Sequence, residues 1–251
     1  MRSQNQPKSK TDTACPFPRK IYIPEKRMER LCSEALVAER LMPSKPEPIR
    51  IERFIEKRFG IVIGYEKLGQ RFGEGVMGAC RFGRDGGVVE ILVDQELGED
   101  ESTVGERRYR STLAHEAGHG LFHGELFAEK FQADDEVAAS GLEDTVCRQN
   151  VFTEGFACRG LGDPEKGSQK QWWEIQANMA MAALLLPRQL VDPFLRDLLK
   201  SPWTIFGRSY KPTLDDACRS VSEVFNVSLT MALYRIEKDF ERLREQPELV
   251  L

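Results

Sequence analysis

Apolar residues recur at helical spacing along most of this 251-residue chain. Such spacing marks the buried face of an amphipathic helix. It predicts helices over residues 24–42, 51–59, 169–186, 190–199, 213–225 and 228–243. Thr103 and Glu106 have the S/T-x-x-E spacing of a capping box, so a further helix is expected to begin near Thr103.

Three short stretches have the composition of strands instead. Residues 61–65 are mostly β-branched, and residues 75–82 and 88–93 are two further candidates, joined by a turn around residues 84–87. They predict a small antiparallel sheet of about three strands, so the expected fold class is α+β. An exposed edge of this sheet could hold a substrate peptide as an added strand, or the sheet could only cover the core.

The order of these segments predicts a tail, a main domain and a C-terminal segment. Residues 1–20 are polar and are expected to be a mobile tail. Residues 21–200 are expected to form the main domain, with residues 126–168 as an insertion or lid that has little periodicity. Residues 201–251 are expected to be a helical segment packed on that domain.

Charge and hydropathy exclude some classes of partner. The net charge of −4 gives no basic footprint, and acidic residues offset the basic ones over residues 213–243, so nucleic-acid binding is not favoured. The longest apolar run, residues 179–186, is too short to cross a bilayer, so no membrane partner is expected. Six cysteines without a C-x-x-C pair, and first residues without an apolar core, predict reduced thiols in a cytoplasmic protein.

The candidate chemistry lies in the three histidines of the chain, His115, His119 and His123. His115 and His119 form an H-E-x-x-H motif with Glu116. Residues four apart are neighbours on a helix, so both rings could bind one metal ion, and Glu116 would lie close to a water on that ion. Zinc sites that do chemistry use three protein ligands and a water. The alternative is a surface helix that happens to carry histidines.

His123 has three candidate roles. It could be a third ligand, a residue that orients a ligand, or a group that stabilises an oxyanion in catalysis. His123 is about 12 Å from His115 along a straight helix, so the third ligand is expected elsewhere. Tyr109 and Tyr234 are weaker candidates for stabilising the oxyanion.

Glu174 is a candidate for the third ligand. It begins a helix whose later part, residues 179–186, is wholly apolar, and a carboxylate buried there needs a partner such as a metal ion. Asn178, one turn on, could orient a metal-bound histidine. Alternatively, Glu174 faces water near the helix N-terminus. Spacing alone leaves five competing carboxylates: Glu125, Glu129, Asp134, Asp135 and Glu136.

Two blocks of the sequence resemble the ImmA/IrrE family of metallo-endopeptidases. Residues 114–123 resemble its A-H-E-x-G-H-x-L-x-H pattern, and residues 174–187 resemble E-x-x-A-N-x-x-x-A-x-L-L-x-P. Residues 156–159 are similar to a segment that some members carry, and residues 225–235 resemble F-x-V-S-x-x-x-A-x-x-R. The resemblance covers roughly residues 48–240, and the chain departs from the family in its long insertion at about 126–168.

The resemblance implies a zincin-like zinc endopeptidase. Its metal ligands match His115, His119 and Glu174, and Glu116 matches the general base. Family members often cleave helix-turn-helix repressors and are encoded near mobile elements or stress-response genes, which implies a repressor as the protein substrate. Two imidazoles and a carboxylate would also accept other divalent metals. The competing hypothesis is a non-catalytic regulatory or interaction protein in which zinc only stabilises the fold.

Overall fold

The computed structural model describes residue 17 and residues 19–140, 151–152, 155–159, 171–200, 203–205 and 208–245. The helices within these ranges are α1 (Glu25–Ala38), α2 (Ile51–Phe59), α3 (Leu68–Phe72), α4 (Gln95–Glu99), α5 (Thr103–Phe122), α6 (Gly124–Ser140), α7 (Trp172–Leu185), α8 (Arg188–Lys200), α9 (Leu214–Phe225) and α10 (Leu229–Glu245). The strands are β1 (Gly64–Glu66), β2 (Val76–Phe82), β3 (Val88–Asp94), β4 (Val151–Phe152), β5 (Gly155–Arg159), β6 (Trp203–Ile205) and β7 (Arg208–Tyr210). The fold is mixed and mostly helical, as the α+β prediction has it.

The predicted helices are present, with some of their ends displaced. α1 ends at Ala38, four residues earlier than expected. α2 ends as predicted, with Gly60 in the left-handed region at φ 68°. The cap of α5 is Ser102, whose side chain accepts a hydrogen bond from the backbone N–H of Gly105, and not Thr103. The H-E-x-x-H motif lies in the second half of this 20-residue helix.

The strands predicted at residues 75–82 and 88–93 correspond to β2 and β3, whereas the one predicted at 61–65 overlaps β1 only at residues 64–65. All three belong to a five-stranded sheet with the order β1-β3-β2-β5-β4. β1 is parallel to β3, and the other neighbours are antiparallel, so the sheet is mixed and not purely antiparallel. The parallel pairing is possible because the chain passes through α3 before it enters β2. The Asp94 carboxylate at the end of β3 accepts a hydrogen bond of 3.0 Å from the backbone N–H of Leu68, which fixes the start of α3.

The expectation of an insertion with little regular structure over residues 126–168 is wrong for much of its described part. Residues 124–140 form α6, and β4 and β5 add two strands beside β2. Leu126 and Phe127 of α6 are fully buried, so tertiary packing stabilises a helix whose periodicity is weak. Residues 141–150, 153–154 and 160–168 of the predicted insertion lie outside the described residues.

One hydrophobic core joins the two ends of the described chain. It extends from Phe17 to Leu243 and includes Val221 of α9 and Ile236 of α10. The C-terminal helices therefore pack on the rest of the protein, and β6 and β7, which precede them, pair with each other in antiparallel fashion. Within the described stretches, none of the helices combines the length and the apolar character needed to cross a membrane.

The predicted mobile tail is partly packed. Residues 1–16 and 18 lie outside the described residues. Phe17 is only 4% exposed, and its ring makes edge-to-face contacts with Phe127 at 5.3 Å and with Trp173 at 5.4 Å. Arg19 forms an ion pair with Glu129 of α6 at 2.6 Å. The aromatic side chain of Phe17 is thus part of the core, and the prediction of a mobile tail is wrong for Phe17 and Arg19.

Candidate metal centre

The candidate site depends on a close crossing of α5 and α7. A Cβ atom added at Gly118 of α5 would lie 2.9 Å from the Cβ atom of Ala180 and 3.1 Å from the carbonyl oxygen of Ala177. Glycine and alanine at these positions therefore allow the two backbones to approach closely. The crossing brings the histidines of α5 opposite the first turns of α7.

His115, His119 and Glu174 converge at this crossing. Nε2 of His115 lies 3.1 Å from Nε2 of His119 and 3.2 Å from Oε2 of Glu174, and Nε2 of His119 lies 3.7 Å from Oε1 of Glu174. The His119 side chain is fully buried, whereas those of His115 and Glu174 are 12% and 20% exposed. The group is therefore closed on the core side and reachable from solvent on the other.

These separations fit a bound metal ion. Four ligands at about 2.0–2.1 Å from a tetrahedral zinc ion are separated from each other by about 3.3–3.5 Å. The two imidazole nitrogens are 3.1 Å apart, and the carboxylate oxygens of Glu174 nearest to them lie at 3.2 Å (Oε2 to His115) and 3.7 Å (Oε1 to His119), close to this value. Two imidazole nitrogens and one carboxylate oxygen are also a donor set that zinc and several other divalent metals accept. Among the described residues, the group of His115, His119 and Glu174 could therefore hold a metal ion.

The competing carboxylates of α6 have other partners. Glu125 and Glu129 pair with Arg19, Asp134 pairs with Lys130, and Asp135 pairs with Arg84. Glu136 lies in α6, and its side chain is outside the described part of the structure. Of the six carboxylates that spacing alone left open, the structure brings Glu174 to the histidines.

The three groups strongly perturb one another's ionisation. Burial opposes a charge on His115, but the hydrogen bond and the attraction from the Glu174 carboxylate outweigh burial and raise the pKa of His115. Burial would also raise the pKa of Glu174, yet the rings of His119 and His115 lower it well below its usual range. Burial lowers the pKa of His119 to about 4. The site therefore combines a charged Glu174 with a neutral His119 at neutral pH.

Asn178 lies where the sequence prediction placed it. Its Oδ1 atom is 3.1 Å from Nδ1 of His115. An amide oxygen only accepts, so this contact requires a proton on Nδ1 of His115. The contact therefore orients the ring with Nε2 toward His119 and Glu174, which is the arrangement that a metal ligand needs.

His123 lies behind His119 and not on the open side of the group. It is fully buried at the C-cap of α5, with Nδ1 2.9 Å from Nδ1 of His119 and Nε2 3.0 Å from Oε1 of Gln176. Burial and the neighbouring His119 ring lower the pKa of His123 to about 3. Both nitrogens are directed at protein groups, so the geometry does not support the catalytic role predicted for His123. It supports the alternative in which His123 orients a ligand.

Glu116 is fully buried where α5 packs on β2. A Cβ atom added at Gly78 of β2 would lie 2.6 Å from Oε1 of Glu116 and 2.6 Å from Cγ2 of Thr112. The absence of a side chain at Gly78 therefore leaves the space that the carboxylate occupies. The charge of Glu116 also contributes to the raised pKa of His115, which places the predicted base within electrostatic reach of the ligand group.

The two tyrosines considered as oxyanion donors contact other residues. The hydroxyl group of Tyr109 lies 2.8 Å from that of Tyr65, and burial raises the pKa of Tyr109. Tyr234 is 50% exposed and lines a small pocket with residues that include Glu25 and Arg188. These contacts involve none of the three ligand residues.

Sequence reasoning did not assign a role to Gly78, to Gln176 or to the backbone carbonyl of Ile21, which accepts a hydrogen bond of 2.7 Å from Nε2 of Gln176. Gln176 lies between Glu174 and Asn178 at the head of an apolar helix, and a buried polar side chain there is a signal that could have been followed. A glycine inside a strand, such as Gly78, often marks a close approach of another group. The carbonyl group of Ile21 has no signal in the sequence.

No family model, curated protein or solved structure matches the chain. The resemblance of the two sequence blocks to the ImmA/IrrE family therefore stays a prediction. The basis for a function is the site itself: among the described residues, two histidines of α5 and a glutamate of α7 lie within 4.8 Å of one another and could hold a metal ion.

Proposed function

We propose that the protein is a zinc-dependent endopeptidase. The observation that carries the proposal is the convergence of His115, His119 and Glu174 at separations that fit zinc, with Glu116 on the same helix. The sequence resemblance to metallo-endopeptidases supports the same activity. It also supports a zincin-like arrangement, in which the H-E-x-x-H helix packs against a sheet, as α5 packs against β2 and β3.

The number of ligand groups favours catalysis over a structural role. Structural zinc sites use four protein ligands, whereas catalytic sites use three and leave one position to water. The group in the described residues has three members. His115 and Glu174 are partly exposed, so water and a substrate carbonyl have a route to the open side.

The roles of the side chains follow from their positions. A bound zinc ion would polarise the scissile carbonyl and lower the pKa of a water molecule. Glu116 would act as the general base, accepting a proton from that water and returning it to the leaving amine. Gly78 has no side chain to occupy the space of the Glu116 carboxylate. Asn178 holds the ring of His115 in the orientation that a metal ligand needs.

The proposed substrate is a protein, and the sequence resemblance favours a helix-turn-helix transcriptional repressor. The net charge of −4 supports a protein substrate over direct nucleic-acid binding, because a nucleic-acid interface needs clustered basic residues. Purified repressors of this class are therefore the first substrates to assay.

The proposal is tested with the full-length protein and a peptide library prepared from a digested proteome. Cleavage products are identified by mass spectrometry for zinc-loaded, chelator-treated and zinc-reloaded protein. Glu116→Gln should bind zinc but not cleave, because an amide cannot take the proton. The matched control is Glu101→Gln, the same change at an exposed position, which should cleave at the wild-type rate. Cleavage that survives chelation, or that Glu116→Gln retains, refutes the proposal.

Zinc K-edge X-ray absorption distinguishes the regulator hypothesis. If the protein is a peptidase, the zinc ion should have only nitrogen and oxygen neighbours, including two imidazole rings and one water molecule. A sulfur neighbour or a third imidazole, together with no cleavage of any peptide, would establish a structural zinc site with four protein ligands.

A further inference from the structure

A chain of hydrogen bonds extends from His119 into the interior, away from the other two ligand residues. Nδ1 of His119 lies 2.9 Å from Nδ1 of His123, and Nε2 of His123 lies 3.0 Å from Oε1 of Gln176. Nε2 of Gln176 then donates a hydrogen bond of 2.7 Å to the carbonyl oxygen of Ile21. His119 and His123 are fully buried and Gln176 is 5% exposed, so water has little access to this chain.

The last bond of this chain sets the direction of all the others. A backbone carbonyl only accepts, so the amide nitrogen of Gln176 must face Ile21 and its oxygen must face His123. That oxygen also only accepts, so Nε2 of His123 carries a proton. The His123 ring is buried and meets the Trp172 ring edge-on at 5.9 Å, surroundings that favour a neutral imidazole.

A neutral imidazole has one N–H group, so Nδ1 of His123 is an acceptor. Its partner at 2.9 Å, Nδ1 of His119, must then be the donor. This leaves the lone pair of His119 on Nε2, the nitrogen that lies 3.1 Å from Nε2 of His115 and 3.7 Å from Glu174. The chain of hydrogen bonds therefore selects the tautomer of His119 that can bind a metal ion in the group.

The Ile21 carbonyl group, at the end of this chain of hydrogen bonds, is held by the packing of the N-terminal segment. Phe17, four residues before Ile21, is buried against Trp172, Trp173 and the side chain of Phe127. Arg19 adds contacts to α6 through its ion pairs. These contacts fix the segment across α6 and α7, so the position of the Ile21 carbonyl is determined by the core.

We propose that Gln176 and the Ile21 carbonyl are positioning groups that act through His123 to hold His119 in its metal-binding tautomer. The described part of the N-terminal segment thereby contributes to the metal site, although its residues are not among the three ligand residues. This inference rests on the proposed metal site, but the tautomer itself can be measured without a bound metal.

The direct test is a long-range ¹H–¹⁵N correlation spectrum of the full-length protein with ¹⁵N-labelled histidine. The chain has three histidines, so three ring systems are expected. His119 should carry its proton on Nδ1 and His123 on Nε2, in the metal-free and the zinc-loaded protein. A proton on Nε2 of His119 or on Nδ1 of His123 in the metal-free protein overturns the proposal.

The second test is Gln176→Met, which keeps the length of the side chain and removes both of its hydrogen bonds. In this variant, His119 and His123 should no longer each populate a single tautomer. Zinc affinity, measured by competition with a chromophoric chelator, should fall about 10- to 100-fold, the usual effect of removing a group that orients a ligand. Ser222→Ala is the matched control, because it removes a buried hydrogen bond of 2.7 Å on α9 and should leave zinc affinity unchanged.

The outcomes separate this inference from the proposed function. Wild-type zinc affinity and wild-type tautomers in Gln176→Met would overturn the inference and leave the peptidase proposal standing. A wild-type protein that shows the expected tautomers but cleaves nothing would overturn the peptidase proposal alone. If Gln176→Met does not fold, Phe17→Ala is the alternative variant, because it loosens the segment that holds Ile21. Phe17→Ala should also lower zinc affinity, and an unchanged affinity counts against the inference.

Discussion

Gly78→Ala should separate catalysis from metal binding. The added Cβ atom would lie 2.6 Å from Oε1 of Glu116 and 2.6 Å from Cγ2 of Thr112. Ordinary van der Waals contact begins at 3.4 Å, so the Glu116 carboxylate must move. The three heavy atoms nearest to the new methyl group belong to Glu116 and Thr112, not to the ligand residues His115, His119 and Glu174.

The size of the effect follows from the size of the displacement. The contact must lengthen from 2.6 to 3.4 Å, which is 0.8 Å. A misplacement of about 1 Å in a catalytic group can cost about 100-fold in rate, so we expect kcat/KM to fall by about that factor. Zinc affinity should change by less than about 3-fold, which is below the effect expected for a group that orients a ligand. Overpacking should destabilise the fold by about 1–3 kcal/mol.

Two further glycine substitutions serve as controls for the effect of the added methyl group. Gly69→Ala places the same methyl group in open space on α3 and should leave cleavage unchanged. Gly64→Ala creates an overlap of the same size, 2.6 Å to Cδ2 of Leu92, in the neighbouring part of the sheet and away from Glu116. Cleavage of library peptides, zinc affinity and the free energy of unfolding are measured for all three variants. The reasoning is refuted if Gly78→Ala cleaves as the wild type does, or loses no more activity than Gly64→Ala.

Three other predictions concern the ligand group and the core. Asn178→Leu should lower zinc affinity about 10- to 100-fold without changing the fold, by chelator competition and circular dichroism; an unchanged affinity would contradict the role of Asn178. Zinc affinity should rise with pH up to the raised pKa of His115 and level off above it, because the ring must lose its proton, and calorimetry in buffers of different ionisation enthalpy should find about one proton released per ion. Arg235→Met should destabilise the protein by about 3 kcal/mol, because the mostly buried Glu29 loses its bidentate partner. Arg30→Met, in an exposed ion pair, should cost less than about 1 kcal/mol by urea unfolding.

The parts of the site that the sequence predicts are those set by local geometry. His115 and His119 are four residues apart on one helix, and that spacing alone makes them neighbours. Glu174 is 59 residues from His115, and spacing left five other carboxylates open. What selects Glu174 is the close crossing of α5 and α7 at Gly118, a long-range contact that no helical period describes.

The distinction between local geometry and long-range contacts also explains where the observed fold differs from the predicted one. Composition identifies β1 as a strand, but it does not say that β1 pairs with β3 in parallel, because pairing is decided by the route of the chain through α3. Phe17 is a single aromatic residue in a polar stretch, so a prediction from the average composition of that stretch does not detect its burial. Its burial depends on the aromatic side chains of α6 and α7, which come from distant parts of the chain.

The electrostatics of the site explain how its geometry is established before a metal binds. Glu174 is held as a carboxylate by the two imidazoles, and that carboxylate in turn raises the pKa of His115. Attraction between these two groups keeps them 3.2 Å apart, which is close to the separation of two ligands on one zinc ion. His119 is already neutral, because burial lowers its pKa to about 4, so its lone pair needs no proton to leave. A metal ion would then replace one proton in an arrangement that folding has already made, so its binding would require little further ordering of side chains.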